Sequence, residues 1–116
     1  MVKKQRLLIT GASGMVGSAL LRLRPAAEHP TRSQFHEASY EAKGKDIIHL
    51  AAMVGGVKAN IDEVAEFYTV NSTINQKLLH QAYLSGANKV VSLLSTCVYP
   101  DAPYVTYPLT ENQLHN

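Results

Sequence analysis

A chain of 116 residues and 12.7 kDa holds one domain at most, and at that length roughly two thirds of the unfolded surface can be buried. Hydrophobic residues at 46%, charged residues at 17%, seven glycines and five prolines exclude both a polar disordered chain and a collagen-like repeat. The formal charge of +2, with no basic cluster beyond Met1–Arg6, leaves no electrostatic footprint for nucleic acid. No apolar run approaches the ~20 residues of a membrane span, and Leu7–Thr10 is too short for the core of a secretory leader. A cytoplasmic address is expected, and the single Cys97 precludes an internal disulfide.

In chain order, Arg6–Thr10 is an apolar run that meets Gly11, after which Met15, Val16, Ala19, Leu20 and Leu23 recur at helical spacing. The order is strand, turn, helix, and Pro25 ends the helix near Leu23 or Arg24. Residues 24–45 carry no run of branched or aromatic side chains, so a poorly defined connection is expected there. Asp46–Ala52 is a second strand, followed by the glycine pair of Met53–Val57. Asn60 with Glu63 three positions on suggests a cap. Ile61, Val64, Ala65, Tyr68, Ile74, Leu78 and Ala82 then predict one long amphipathic helix running to Ser85. Gly86 suits the left-handed position that ends it. Lys89–Ser95 is a third strand, and residues 100–116 form a loop-rich tail. Strands alternating with helices predict an α/β fold, a Rossmann-type parallel sheet with flanking helices.

The chemistry concentrates at the predicted strand ends. Thr10, Gly11, Ser13, Gly14, Met15, Val16 and Gly17 form a loop with glycines three apart, between a strand and a helix. Glycine permits the turn, the close approach of backbone to a pyrophosphate and tight helix–strand packing, while the helix N-terminus offers free N–H groups to the anion. A glycine turn without a ligand is the bland alternative. About 20 residues further on, where such folds choose between NAD and NADP, stands Arg32 rather than an acidic residue. It suits a 2′-phosphate, or it is an ordinary solvated arginine. Leu50, Ala51 and Ala52 end the second strand and Ser95 to Pro100 end the third, both where an open parallel sheet forms its ligand crevice. No histidine pair has the spacing of a metalloprotease helix and one cysteine cannot build a thiolate zinc site, so no metal is expected.

The glycine spacing is similar to that of extended short-chain dehydrogenases/reductases. Together with Ala-Ala-Met-Val-Gly-Gly at 51–56, Asn60, the helix from Asn71 to His80 and Ser-Thr-Cys-Val-Tyr-Pro at 95–100, the chain resembles the GDP-L-fucose synthase family. The resemblance implies NADP(H) as cofactor and GDP-4-dehydro-6-deoxy-D-mannose as substrate, which is epimerised at C3 and C5 and then reduced at C4. It implies that Ser95 hydrogen-bonds the C4 carbonyl and that Cys97 is an acid or base of epimerisation, against the alternative that Cys97 is a small core residue. It also implies that the 60–85 helix pairs with its copy in a homodimer, where its default role is to cover its own sheet. The Tyr-x-x-x-Lys pair that reduction requires is absent from these 116 residues. Residues 1–116 therefore read as a partial NAD(P)-binding domain with a shortened second-strand region, inactive alone. A noncatalytic nucleotide-binding fragment and another nucleotide-sugar epimerase or reductase are the rivals.

Overall fold

The computed structural model describes residues 6–115; the basic run before Arg6 lies outside the described residues. Short apolar stretches form the strands β1 (Leu7–Thr10), β2 (Asp46–His49) and β3 (Lys89–Ser92). They associate as a parallel sheet in the order β1-β2-β3. Leu8 pairs with Ile47 and Ile47 with Val90, so these side chains share one face of the sheet. The helices are α1 (Met15–Leu23), α2 (Arg32–His36), α3 (Val57–Asp62) and α4 (Val64–Ser85). No helix among the described residues is long and apolar enough to cross a membrane.

The predicted single helix from Asn60 to Ser85 is two helices. Glu63, at φ −121° and ψ 35°, leaves the helical region between α3 and α4. Asn60 is not a cap but an interior residue of α3, and its side-chain amide donates to the carbonyls of Gly55 and Gly56. The predicted apolar face is correspondingly turned. Phe67, Leu78 and Ala82 are buried, whereas Ile61, Val64 and Tyr68 are exposed. Gly86 closes α4 in the left-handed conformation at φ 71°, as its position after the last turn predicts. The second and third strands are shorter than their apolar runs, ending at His49 and Ser92, where the chain turns into the loops at the carboxyl edge.

Residues 24–45 contribute more than a connection. Ala27–Glu28 runs beside β1, where the Glu28 N–H donates to Leu7 O at 2.9 Å and the Ile9 N–H to Glu28 O at 2.8 Å, a single parallel bridge. The element is a remnant of a strand on the side of β1 opposite β2. Thr31 then starts α2 with a capping box: its Oγ1 accepts from the Gln34 N–H, and the Gln34 side chain accepts from the Thr31 N–H. This short helix delivers Phe35 to the core formed by Leu8, Ala42, Ile47, Leu78 and Ala82. Thr31→Ala is expected to cost about 1 kcal/mol, read as a lower urea midpoint with an unchanged slope. A wild-type midpoint would show that the cap contributes nothing.

Beneath the bridge sits a charged cluster. Lys45 is fully buried, its ammonium 2.6 Å from Glu28 Oε2 and also bonded to the Glu41 carbonyl, while Arg6 reaches Glu28 Oε1 at 3.0 Å. The Lys45 hydrogen bond is the main cause that holds the Glu28 carboxyl below the usual carboxylate range.

Candidate functional site

The chain leaves β1 toward the Glu28 bridge on one side, and the next full strand, β2, lies on the other. The connections thus diverge at the carboxyl end of β1, the topological switch point at which open α/β sheets bind ligands. The glycine loop occupies that point. Gly11 has φ +71°, and a β-carbon there would lie 2.7 Å from the backbone of Leu50 and Ala51. Gly14 N–H donates to Gly11 O at 3.1 Å, which closes the turn, and Gly14 is itself the N-cap of α1, with no side-chain cap. Gly17 is buried, and a β-carbon on it would stand 2.2 Å from Gly11 O. The loop can therefore keep this shape only with glycine at positions 11 and 17.

What the loop presents is the open start of a nine-residue helix with no acidic residue in its first turn. The first N–H groups of a helix have no partner within it and carry the positive end of its dipole. Ser13, Met15 and Val16 are exposed around this end, Met15 at 87%. An apolar side chain so uncovered beside free N–H donors suits a ligand with both anionic and flat apolar parts. Arg32 lies exposed at the first position of α2, four residues beyond the Glu28 bridge.

The second loop is fastened to the first by a buried polar chain. Thr10 Oγ1 accepts the N–H groups of Leu50 and Ala51 at 3.2 and 3.3 Å and lies 2.6 Å from His49 Nδ1, while His49 Nε2 is 2.9 Å from Asn75 Oδ1. One turn earlier on α4, Asn71 makes a two-way amide pair with Met53, accepting its N–H at 2.7 Å and donating to its carbonyl at 3.0 Å. Thus Leu50, Ala51 and the adjoining Ala52 are held against Gly11 by Thr10 from beneath and by two asparagines of α4. Burial depresses the His49 pKa, and its bond to Asn75 partly opposes that shift.

The third loop follows β3. Ser95 caps a 3₁₀ turn over Thr96–Val98, its Oγ accepting the Cys97 N–H at 3.1 Å. The hydroxyl proton of Ser95 stays available to a further acceptor. Cys97 is exposed, which sets aside its reading as a buried core residue within this chain. All three loops leave the same edge of the sheet, and together they form an open surface. Two clefts among the described residues lie away from this surface: one of about 270 Å³ between the end of α4 and the start of β3, lined by Leu79, Tyr83 and Lys89, and one of about 400 Å³ beside Glu28 and Tyr40. Among the described residues no cluster of three His, Cys, Asp or Glu side chains could hold a metal ion.

Sequence patterns alone pass over His49, Asn71 and Asn75. A histidine inside an apolar strand carries no spacing signal, and two asparagines four apart on a helix become informative only once β2 is seen to end opposite them.

A parallel sheet with flanking helices and a glycine loop at the switch point of β1 defines a Rossmann-type α/β domain. The chain belongs to the NAD dependent epimerase/dehydratase family, whose profile matches residues 27–115. It is 35% identical to the "Probable GDP-L-fucose synthase" of Drosophila melanogaster over 97% of this chain and 39% of that protein. It is 30% identical to the GDP-L-fucose synthase of Escherichia coli K12, again over 97% of this chain and 39% of the relative. Among solved structures, a GDP-L-fucose synthetase from Naegleria fowleri bound to NADP superposes with a TM-score of 0.71 at 29% identity, covering 99% of this chain and 38% of that one. The chain thus spans about 39% of the length of the curated relatives it matches.

Proposed function

We propose that this chain holds NADPH across its glycine loop and is the dinucleotide-binding part of a GDP-L-fucose synthase. The observation that carries the reading is the cradle itself: Gly11 at φ +71°, Gly17 buried without room for a β-carbon, and the bare start of α1 at the switch point. In this reading the N–H groups of Ser13, Met15, Val16 and Gly17 receive the pyrophosphate, Met15 and Val16 cover its neighbouring rings, and Arg32 pairs with a 2′-phosphate. The Thr10-anchored backbone of Leu50–Ala52 forms the opposite wall. NADP is the ligand named for the Naegleria fowleri relative, and the Arg32 position favours the same choice here. When bound, the cofactor supplies hydride for reduction at C4 of a sugar.

In the whole protein the substrate is a GDP-linked 4-keto sugar, GDP-4-dehydro-6-deoxy-D-mannose. Ser95, with its hydroxyl proton free, donates to the C4 carbonyl, and the Cys97 thiol exchanges a proton at the carbon beside it during 3,5-epimerisation. The enzyme works in the cytoplasm. It pairs with a second copy through the outer face of the 60–85 segment, where Tyr68, Leu79 and Tyr83 are exposed.

The 116 residues contain no tyrosine with a lysine four positions later, so this chain binds cofactor without reducing substrate. The purified chain mixed with NADPH and the keto-sugar is expected to enhance NADPH fluorescence while its 340 nm absorbance stays constant. Enzyme-dependent loss of that absorbance would refute the non-reducing reading.

A further inference from the structure

We propose that His49 is the positioning residue of the two cofactor loops, a neutral imidazole between Thr10 and Asn75 whose protonation loosens the loops and lowers affinity for the dinucleotide. The proposal rests on the reading that a dinucleotide binds across them. Donor counting fixes the tautomer. Thr10 Oγ1 accepts the Ala51 N–H and shares the Leu50 N–H with the Thr10 carbonyl, which lies 3.2 Å from the same nitrogen, so its lone pairs already face two donors. Its own hydrogen therefore goes to His49 Nδ1, 2.6 Å away. That leaves the proton of His49 on Nε2, where it is donated to Asn75 Oδ1 at 2.9 Å. This arrangement gives the Thr10 hydroxyl hydrogen and both imidazole nitrogens a partner.

Protonation breaks it at a particular place. An imidazolium carries a hydrogen on Nδ1 as well, and that hydrogen meets the hydroxyl hydrogen of Thr10. To accept it, Thr10 must turn its own hydrogen away and weaken its hold on the two N–H groups; Leu50 N–H keeps the Thr10 carbonyl, so the tie that loosens is Ala51 N–H, whose peptide is the one packed against Gly11. The groups that face the imidazole are Thr10 from β1, Asn75 from α4 and the Phe35 ring of α2, with centroids 6.5 Å apart. None is charged, and only the Asn75 hydrogen bond favours the cation, against the larger opposing effect of burial. Tyr40 and His36 are the titratable groups that touch the far parts of the same Phe35 ring. Burial places the His49 pKa below 6.5. Its contribution to stability is accordingly complete above about pH 6.5 and is lost as pH falls through the folded-state value.

Two measurements on the whole chain test the proposal. A long-range ¹H–¹⁵N spectrum at about pH 7.5 is expected to show His49 protonated on Nε2 and bare on Nδ1; the Nδ1–H tautomer or an imidazolium would overturn the network. NADPH is then titrated near pH 7.5 and near pH 5.5 into wild type and His49→Gln, with circular dichroism confirming the fold at both values. The ratio of Kd between the two pH values is expected to be at least about fivefold larger for wild type. Equal ratios would overturn the proposal, and the comparison cancels the titration of the cofactor's own 2′-phosphate. If wild type fails to bind near pH 7.5, the dinucleotide reading falls and the affinity linkage with it, whereas binding with equal ratios refutes only the role of His49. Should His49→Gln not fold, the tautomer measured on wild type decides.

Discussion

Gly17→Ala is expected to destabilise the fold by about 3 kcal/mol or more, a fall of roughly 10 °C in Tm for a domain of this size. The added methyl would stand 2.2 Å from Gly11 O and 2.6 Å from Ala12 Cα, and both are backbone atoms that no rotamer change can move aside. Relief requires α1 to retreat from the loop. Retreat separates the Gly11 turn from the helix start, so NADPH affinity falls along with stability. Gly56→Ala is the control, because nothing lies within 4 Å of its β-carbon position and no positive φ is involved. A Gly17→Ala protein as stable as the control would show that the loop does not have this shape.

Glu28→Leu carries the second large effect. Lys45 is fully buried, while the Glu28 side chain is 49% exposed, so removal of the carboxylate leaves an ammonium with only the Glu41 carbonyl as partner. Breaking a buried pair from one side costs about 3–5 kcal/mol, and the half-exposed position of Glu28 reduces the expectation to about 2–3 kcal/mol. The double variant Lys45→Met/Glu28→Leu is expected to recover most of that loss, since no unpaired charge remains in the interior. The pair also sets an acid limit. Because the Glu28 carboxyl titrates below its ordinary value of 4.5, the stabilisation is full above that value and is lost as pH falls through the folded-state pKa. A double variant no more stable than Glu28→Leu would mean that the charge on Lys45 is not the source of the loss.

The sites of these two variants differ in how far the sequence announces them. The glycine loop is legible because backbone geometry leaves few alternatives to glycine, and the strand before it and helix after it carry clear periodicities. The same holds for Gly86 and for the helix stop before Pro25. The segment around Glu28 is opaque for a physical reason. A strand reduced to one bridge needs no alternating pattern, and its position is held by an ion pair between the half-exposed Glu28 and a buried lysine 17 residues on. The expected single helix over 60–85 failed where a local conformation overrode periodicity: Glu63 breaks the run, which turns α4 so that Phe67 rather than Val64 or Tyr68 meets the core. Ser95 and Cys97 stand out through a resemblance rather than a pattern, and the structure adds the cap that orders Ser95. The His49 chain is invisible until three elements are brought together, because a histidine's neighbours are set by strand register and not by spacing.

Fluorescence titration of NADPH into the wild-type chain and into Gly14→Asp tests the dinucleotide site most directly. Gly14 is the N-cap of α1, where a β-carbon would stand 3.3 Å from Gly11 O, a close contact that a shift of a few tenths of an ångström relieves; aspartate is a favoured N-cap residue, and it places its negative charge where the pyrophosphate would lie. Wild type is expected to bind with a Kd in the micromolar range, below about 100 μM, and Gly14→Asp to lose that binding while its unfolding midpoint stays close to wild type. No binding by wild type, or equal binding by both proteins, would contradict the assignment.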